Sequence, residues 1–204
     1  MNVLRTRTMS AFLTLGAGAL IGALGALAGK LDGPIFHVVN IVFSGGWSWA
    51  CFAFLVGYTR KSKVESACLA SSALAVGVVV YYLLKWLSPV APIGMTADGT
   101  VGDGVSSGIL FWGIAAFLFG APLGLFGNLA RIPGIGGLPF RLLVPLIVYF
   151  ETSTRLEVEA ATAGRFVEMT WSTIRVIAVL AALALVGHTA WEWVRSARGR
   201  ERRT

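Results

Sequence analysis

The sequence predicts an all-α fold: a polytopic membrane helix bundle of about six transmembrane helices with both termini cytoplasmic. Three observations predict it. Of the 204 residues 56% are hydrophobic and 13% charged, against roughly 25% charged in an ordinary soluble domain. Apolar runs of about 20 residues, the length that crosses a bilayer, recur along the chain. The basic residues gather in alternate connections, the asymmetry that orients such helices. A single transmembrane domain over residues 1–194 and a basic cytoplasmic tail over 195–204 account for the whole length.

The first helix is expected from Ser10 to Ala28, behind Arg5 and Arg7. Gly18/Gly22 and Gly25/Gly29 are each four apart, a spacing that lets a second backbone approach closely. Ala26-Leu27-Ala28 resembles a signal-peptide cleavage site, but the apolar stretch is longer than a signal core, which favours a retained helix. A short loop over 29–34 leads to a second helix from Ile35 to Tyr58, with His37 and Asn40 in its first turns. Gly45 and Gly46 in its middle predict close packing or a bend.

A short basic turn over 59–63 precedes the third helix, Val64 to Leu87. Tyr81, Tyr82, Lys85 and Trp86 at its end mark a membrane interface. The Pro- and Gly-rich loop over 88–104 follows, holding Asp98 and Asp103 but no Lys or Arg. The fourth helix, Val105 to Leu129, carries Trp112 and a proline, Pro122, expected to kink it. The glycine-rich segment 130–138 lacks any phosphate-loop pattern and reads as a turn. The fifth helix starts near Pro139 and the sixth spans Thr170 to Trp193.

With the N-terminus inside, Arg5, Arg7, Arg60, Lys61, Lys63, Arg131, Arg141 and the tail arginines fall on the cytoplasmic side, 12 of the 17 basic residues. The net charge of +7 is thereby explained by topology and by anionic lipid headgroups at the tail, and no nucleic-acid partner is implied. A bacterial plasma membrane is the expected location. Cys51 and Cys68 lie within apolar runs and form no disulfide or metal-ligand framework.

The chemically informative residue is Glu151. It lies about 18 Å along the fifth helix from Pro139, at 1.5 Å per residue, inside a hydrocarbon core about 30 Å thick. A charge at such depth costs at least about 2.5 kcal/mol, so it has a partner, a cavity or a task. Arg155, one turn on, and Arg175 on the sixth helix are candidate partners, and a structural ion pair is one reading. In the other reading Glu151 is a catalytic acid that protonates an alkene or epoxide, while aromatic faces stabilise the cation that develops. The candidate substrate-binding residues are Trp47, Trp49, Tyr81, Tyr82, Trp112, Tyr149, Phe150, His37, Asn40 and Arg175. No cofactor or metal is expected. The three aspartates, Asp32, Asp98 and Asp103, form no magnesium-binding cluster, the two histidines fall toward opposite faces, and no hydrolase signature occurs.

The run GGWSWACFAFLVG at Gly45–Gly57, GAPLG at Gly120–Gly124 and the late glutamate of the fifth helix give a layout that resembles small six-helix bacterial membrane proteins. Membrane-bound terpene cyclases are among proteins of that kind. The resemblance implies a lipid-soluble, prenylated substrate cyclised through carbocations. It carries over no catalytic residue, so Glu151 is nominated on chemistry alone. Two other functions fit the same layout: a substrate-binding membrane subunit of a small-molecule transporter, and a non-catalytic membrane scaffold or immunity protein.

Overall fold

The computed structural model describes residues 2–31, 33–87, 101–159 and 164–201, and every regular element among them is helical. Asp32, Asp98 and the arginines at 202 and 203 lie outside the described residues. The elements are α1 (Asn2–Ala28), α2 (Pro34–Ser44), α3 (Gly46–Tyr58), α4 (Lys63–Leu87), α5 (Val101–Leu129), α6 (Leu138–Glu159) and α7 (Arg165–Glu201), with a 3-10 turn over Gly134–Gly137 before α6. Five helices are long and apolar enough to cross a membrane, six if the bent pair α2 and α3 forms one span. Large side chains such as Leu110, Phe117, Leu118, Leu180 and Leu183 face outward, a surface suited to lipid and not to water. The chain has the build of a multi-pass membrane protein.

The second helix takes the bend that Gly45 and Gly46 predicted as one alternative, and takes it as a full break. It is not continuous from Ile35 to Tyr58 but breaks at Gly45, where α2 and α3 are bent by 69°. Gly45 takes an extended backbone (φ −79°, ψ 140°), and two adjacent glycines hold a helix less firmly than any other non-proline pair. Other helices run past their expected ends: α1 begins at Asn2, α5 at Val101 and α7 at Arg165, and α7 continues to Glu201 through most of the expected basic tail. Helical hydrogen bonding propagates beyond the apolar stretch because polar side chains at the ends are no obstacle to it. Pro122 sits inside α5, which continues on both sides of it.

Small residues set the packing. A Cβ on Gly18 or Gly22 would collide with the backbone of Ala73 or Gly77, so α1 and α4 run in parallel with their backbones in contact. Nearer the start of α4, Gly120 meets Ser71 and Gly124 meets Ser66 and Ala70, while Gly57 of α3 lies against the Gly124 carbonyl. Ala53, Val56, Ala70, Leu74 and Ala116 form the buried cluster between α3, α4 and α5. In lipid, helices associate through such close van der Waals contact, because apolar burial between them gains little over lipid.

One end of the bundle is tied by Arg60 in the tight α3–α4 turn. Its Nη1 donates to Ser10 Oγ (2.6 Å), and its Nη2 to Ser10 O (3.1 Å) and to Thr14 Oγ1. Glu65 lies 3.6 Å from Nη1. The Arg60 carbonyl in turn accepts from Asn128 Nδ2 (2.6 Å) and Arg131 Nη1 (2.7 Å) at the end of α5. Arg141 of α6 donates to the Ala130 and Ile132 carbonyls, both at 2.8 Å. The basic residues placed by charge asymmetry at these connections therefore also satisfy helix-terminal carbonyls.

Two glycine substitutions separate packing from propensity. Gly57→Ala, which drives a methyl into the Gly124 backbone, is expected to lower stability by about 1–3 kcal/mol through overpacking. Gly16→Ala, with open space around it, is expected to be neutral or to stabilise by up to about 1 kcal/mol. Unfolding titrations in mixed micelles distinguish the two.

Candidate functional site

A helix broken inside an apolar bundle strands backbone groups that lipid cannot satisfy. Here each side of the break is satisfied by a side chain. Glu151 of α6 reaches the start of α3, its Oε1 accepting from Gly46 N–H (2.8 Å) and its Oε2 from Trp47 N–H (2.7 Å). It thus does for α3 what an N-cap side chain does locally, a task Gly45 cannot perform. A carboxylate at that end also meets the positive pole of the helix dipole. On the carbonyl side, Trp49 Nε1 donates to Phe43 O (3.0 Å) and Ser48 Oγ to Gly45 O (2.9 Å).

The position of Gly45 is explained by space. Its backbone angles suit any residue, but an added Cβ would lie 2.7 Å from Trp47 Cδ1 and 3.2 Å from Glu151 Oε1. Arg155, one turn along α6, completes the carboxylate's surroundings with Nε 3.2 Å from Oε1. Its guanidinium stacks 5.0 Å from the ring of Trp171, the largest fully buried side chain, on α7. Ile41, Val167 and Trp171 form a buried cluster with Trp47 packed on it. Glu151 and Arg155 therefore join α3, α6 and α7 at one point.

Beside the break lies a cleft of ≈ 540 Å³, bordered by α2, α3, α4, α5 and α6, within the range of about 300–1,000 Å³ typical of small-molecule sites. Its walls are mostly apolar and strongly aromatic: Trp49, Tyr81, Tyr82, Trp112, Phe119 and Phe126 line it. Gly45 and Gly46 also border it, so the kink shapes one wall. Trp49 and Tyr81 meet edge to face (6.4 Å, 88°), and Tyr81 and Tyr82 likewise (5.3 Å, 80°).

Of the residues nominated from sequence, Trp49, Tyr81, Tyr82 and Trp112 converge on this cleft. The others do not line it. Glu151 stands behind Gly45 and Gly46, with both oxygens accepting hydrogen bonds. Trp47 turns toward the Trp171 cluster. Tyr149 and Phe150 meet edge to face (5.7 Å, 80°) and face outward. His37 is exposed against Phe166 (5.5 Å). Asn40 borders a second, smaller cavity. Arg175 is half-buried, and the partner of Glu151 is Arg155.

Sequence reasoning missed Phe43, Phe126, Leu143 and Ile147 as cleft residues. Apolar side chains on three different helices carry no local signal of a shared cavity. Among the described residues no group of three or more His, Cys, Asp or Glu side chains comes together that could hold a metal ion.

Fold and site together define a helical multi-pass membrane protein with an aromatic cleft beside a discontinuous helix. No family model, curated protein or solved structure matches the chain. The likeness to membrane terpene cyclases therefore rests on layout alone.

Removing the cap tests the break. Glu151→Ala orphans two amide donors and removes the carboxylate beside Arg155, and is expected to destabilise by about 2–3 kcal/mol. Glu151→Gln keeps one acceptor and is expected to lose roughly half of that. Thermal melts in detergent measure both, and equal stability of all three proteins would contradict the capping role.

Proposed function

We propose that the protein binds a lipid-soluble, prenyl-bearing small molecule in the aromatic cleft between α3, α4, α5 and α6. The observation that carries this reading is the cleft itself: ≈ 540 Å³ of apolar, aromatic-walled space, in a chain whose outer surface suits lipid. Edge-on and face-on aromatic rings suit the flat, unsaturated segments of an isoprenoid. In this reading the protein sits in a bacterial plasma membrane with both termini in the cytoplasm, the orientation favoured by its basic residues.

Protonation-initiated cyclisation is the catalytic form of the same reading. The rings of Trp49, Tyr81, Tyr82 and Trp112 would then stabilise successive cations. The acid is its less supported part. Glu151 could donate only by giving up an amide hydrogen bond across the Gly45–Gly46 break, and as held it serves as an acceptor on both oxygens. The geometry therefore favours ligand binding over proton transfer from Glu151. A transport subunit is the second reading, favoured by one observation: discontinuous membrane helices often border transported substrates. Of the polar residues such a subunit would use to hold a solute, His37, Asn40, Glu151 and Arg175, only Asn40 borders either the cleft or the smaller cavity.

Farnesol binding followed in detergent micelles tests the proposal. Ala115→Trp, which places an indole in the cleft, is expected to weaken farnesol binding at least about tenfold, a loss of some 1.4 kcal/mol. Unchanged affinity would remove the cleft as the site. Turnover of prenylated substrates by wild type and its loss in Glu151→Gln would establish the catalytic form. Full turnover in that variant would exclude Glu151 as the acid.

A further inference from the structure

A second, half-open cavity adjoins the cleft, and its lining is more polar. It measures ≈ 310 Å³ and is lined by Gly25, Ala26, Gly29, Lys30, Asn40, Tyr81 and Lys85. Its charged lining residues are two lysines from different parts of the chain, Lys30 after α1 and Lys85 at the end of α4, and none of its lining residues is acidic. Lys30 Nζ donates to Leu84 O at 3.2 Å, and Lys85 Nζ lies 5.1 Å from the centre of the Tyr81 ring. Lys30 and Asn40 are half-buried and Lys85 is exposed at the mouth, and all three border the one space.

The two cavities share a wall. Tyr81 lines both, one with ammonium groups around it and the other with aromatic rings. Gly25 lies at that boundary: a Cβ added there would sit 3.4 Å from the Tyr81 ring and 3.5 Å from Phe43 Cβ, and Phe43 borders the larger cleft. Gly29, just after α1, leaves room for Asn40, whose Oδ1 would lie 3.2 Å from an added Cβ.

We infer that the ligand is an anionic amphiphile: its phosphate or carboxylate head sits between Lys30, Lys85 and Asn40, and its isoprenoid chain lies past Tyr81 in the aromatic cleft. This rests on the ligand-binding reading above and specifies its substrate class. Two ammonium groups and an amide donor are the complement of such a head. The aromatic walls supply the affinity for the chain.

Three probes separate the parts: farnesol carries the chain alone, inorganic phosphate the head alone, and farnesyl monophosphate both. Farnesyl monophosphate is expected to bind wild type at least about tenfold more tightly than farnesol, with the difference shrinking as salt is raised. In the double variant Lys30→Gln/Lys85→Gln the advantage is expected to vanish while farnesol affinity stays unchanged. The salt series on wild type provides the same test should that variant fold poorly.

Equal affinity of wild type for farnesol and farnesyl monophosphate would overturn the head-group site while leaving the cleft intact. Absence of binding by both would overturn the cleft reading as well. Inorganic phosphate competing as strongly as the monophosphate would make this a site for a free anion. Equal competition by dioleoyl phosphatidylglycerol would make it a site for bulk membrane lipid. Either of those two results rejects the inference.

Discussion

Within an apolar bundle, a backbone amide without an acceptor is among the most costly groups a protein can bury. The break at Gly45 creates two of them, on Gly46 and Trp47, and the structure meets that constraint with one carboxylate from a helix more than a hundred residues away. The consequences spread outward. Glu151 accepts from both amides, Arg155 stands beside it, and Arg155 in turn lies on Trp171. The positions of α6 and α7 relative to α3 thus follow from a local interruption in the second apolar segment.

The same interruption shapes the cleft. Glycines bring α1, α4 and α5 into backbone contact, which closes the space at those crossings. Where α2 turns into α3 the chain swings aside, and the space released is walled by aromatic side chains from α3, α4 and α5. Trp49 links the two effects, since its indole N–H closes the end of α2 while its ring faces the cleft. Packing by small residues and space beside a kink are complementary outcomes of one sequence composition.

Much of this was legible in the sequence because it depends on local pattern. Apolar runs revealed the helices, and the spacing of Gly18 and Gly22 anticipated a close partner, found at Ala73 and Gly77. The depth of Glu151 showed that it needed company, and Arg155 was correctly foreseen at one turn's distance. The principal partners, the amides of Gly46 and Trp47, were not foreseen. Backbone donors become available only where a helix stops, and periodicity alone does not reveal a stop inside an apolar run. Four of the nominated aromatic and polar residues, on α3, α4 and α5, line the cleft, Trp112 while still half exposed. Tyr149 and Phe150 were chosen for their nearness to Glu151 in sequence. Adjacent helical residues point about 100° apart, and those two face outward.

The Arg60 turn carries an implication for biogenesis. Its guanidinium binds α1 roughly fifty residues upstream, and its carbonyl is held by Asn128 and Arg131 about seventy residues downstream. The two sides of this tie depend on stretches of chain made at different times: the contacts with α1 need nothing beyond the α3–α4 turn, whereas Asn128 and Arg131 exist only once α5 has been synthesised.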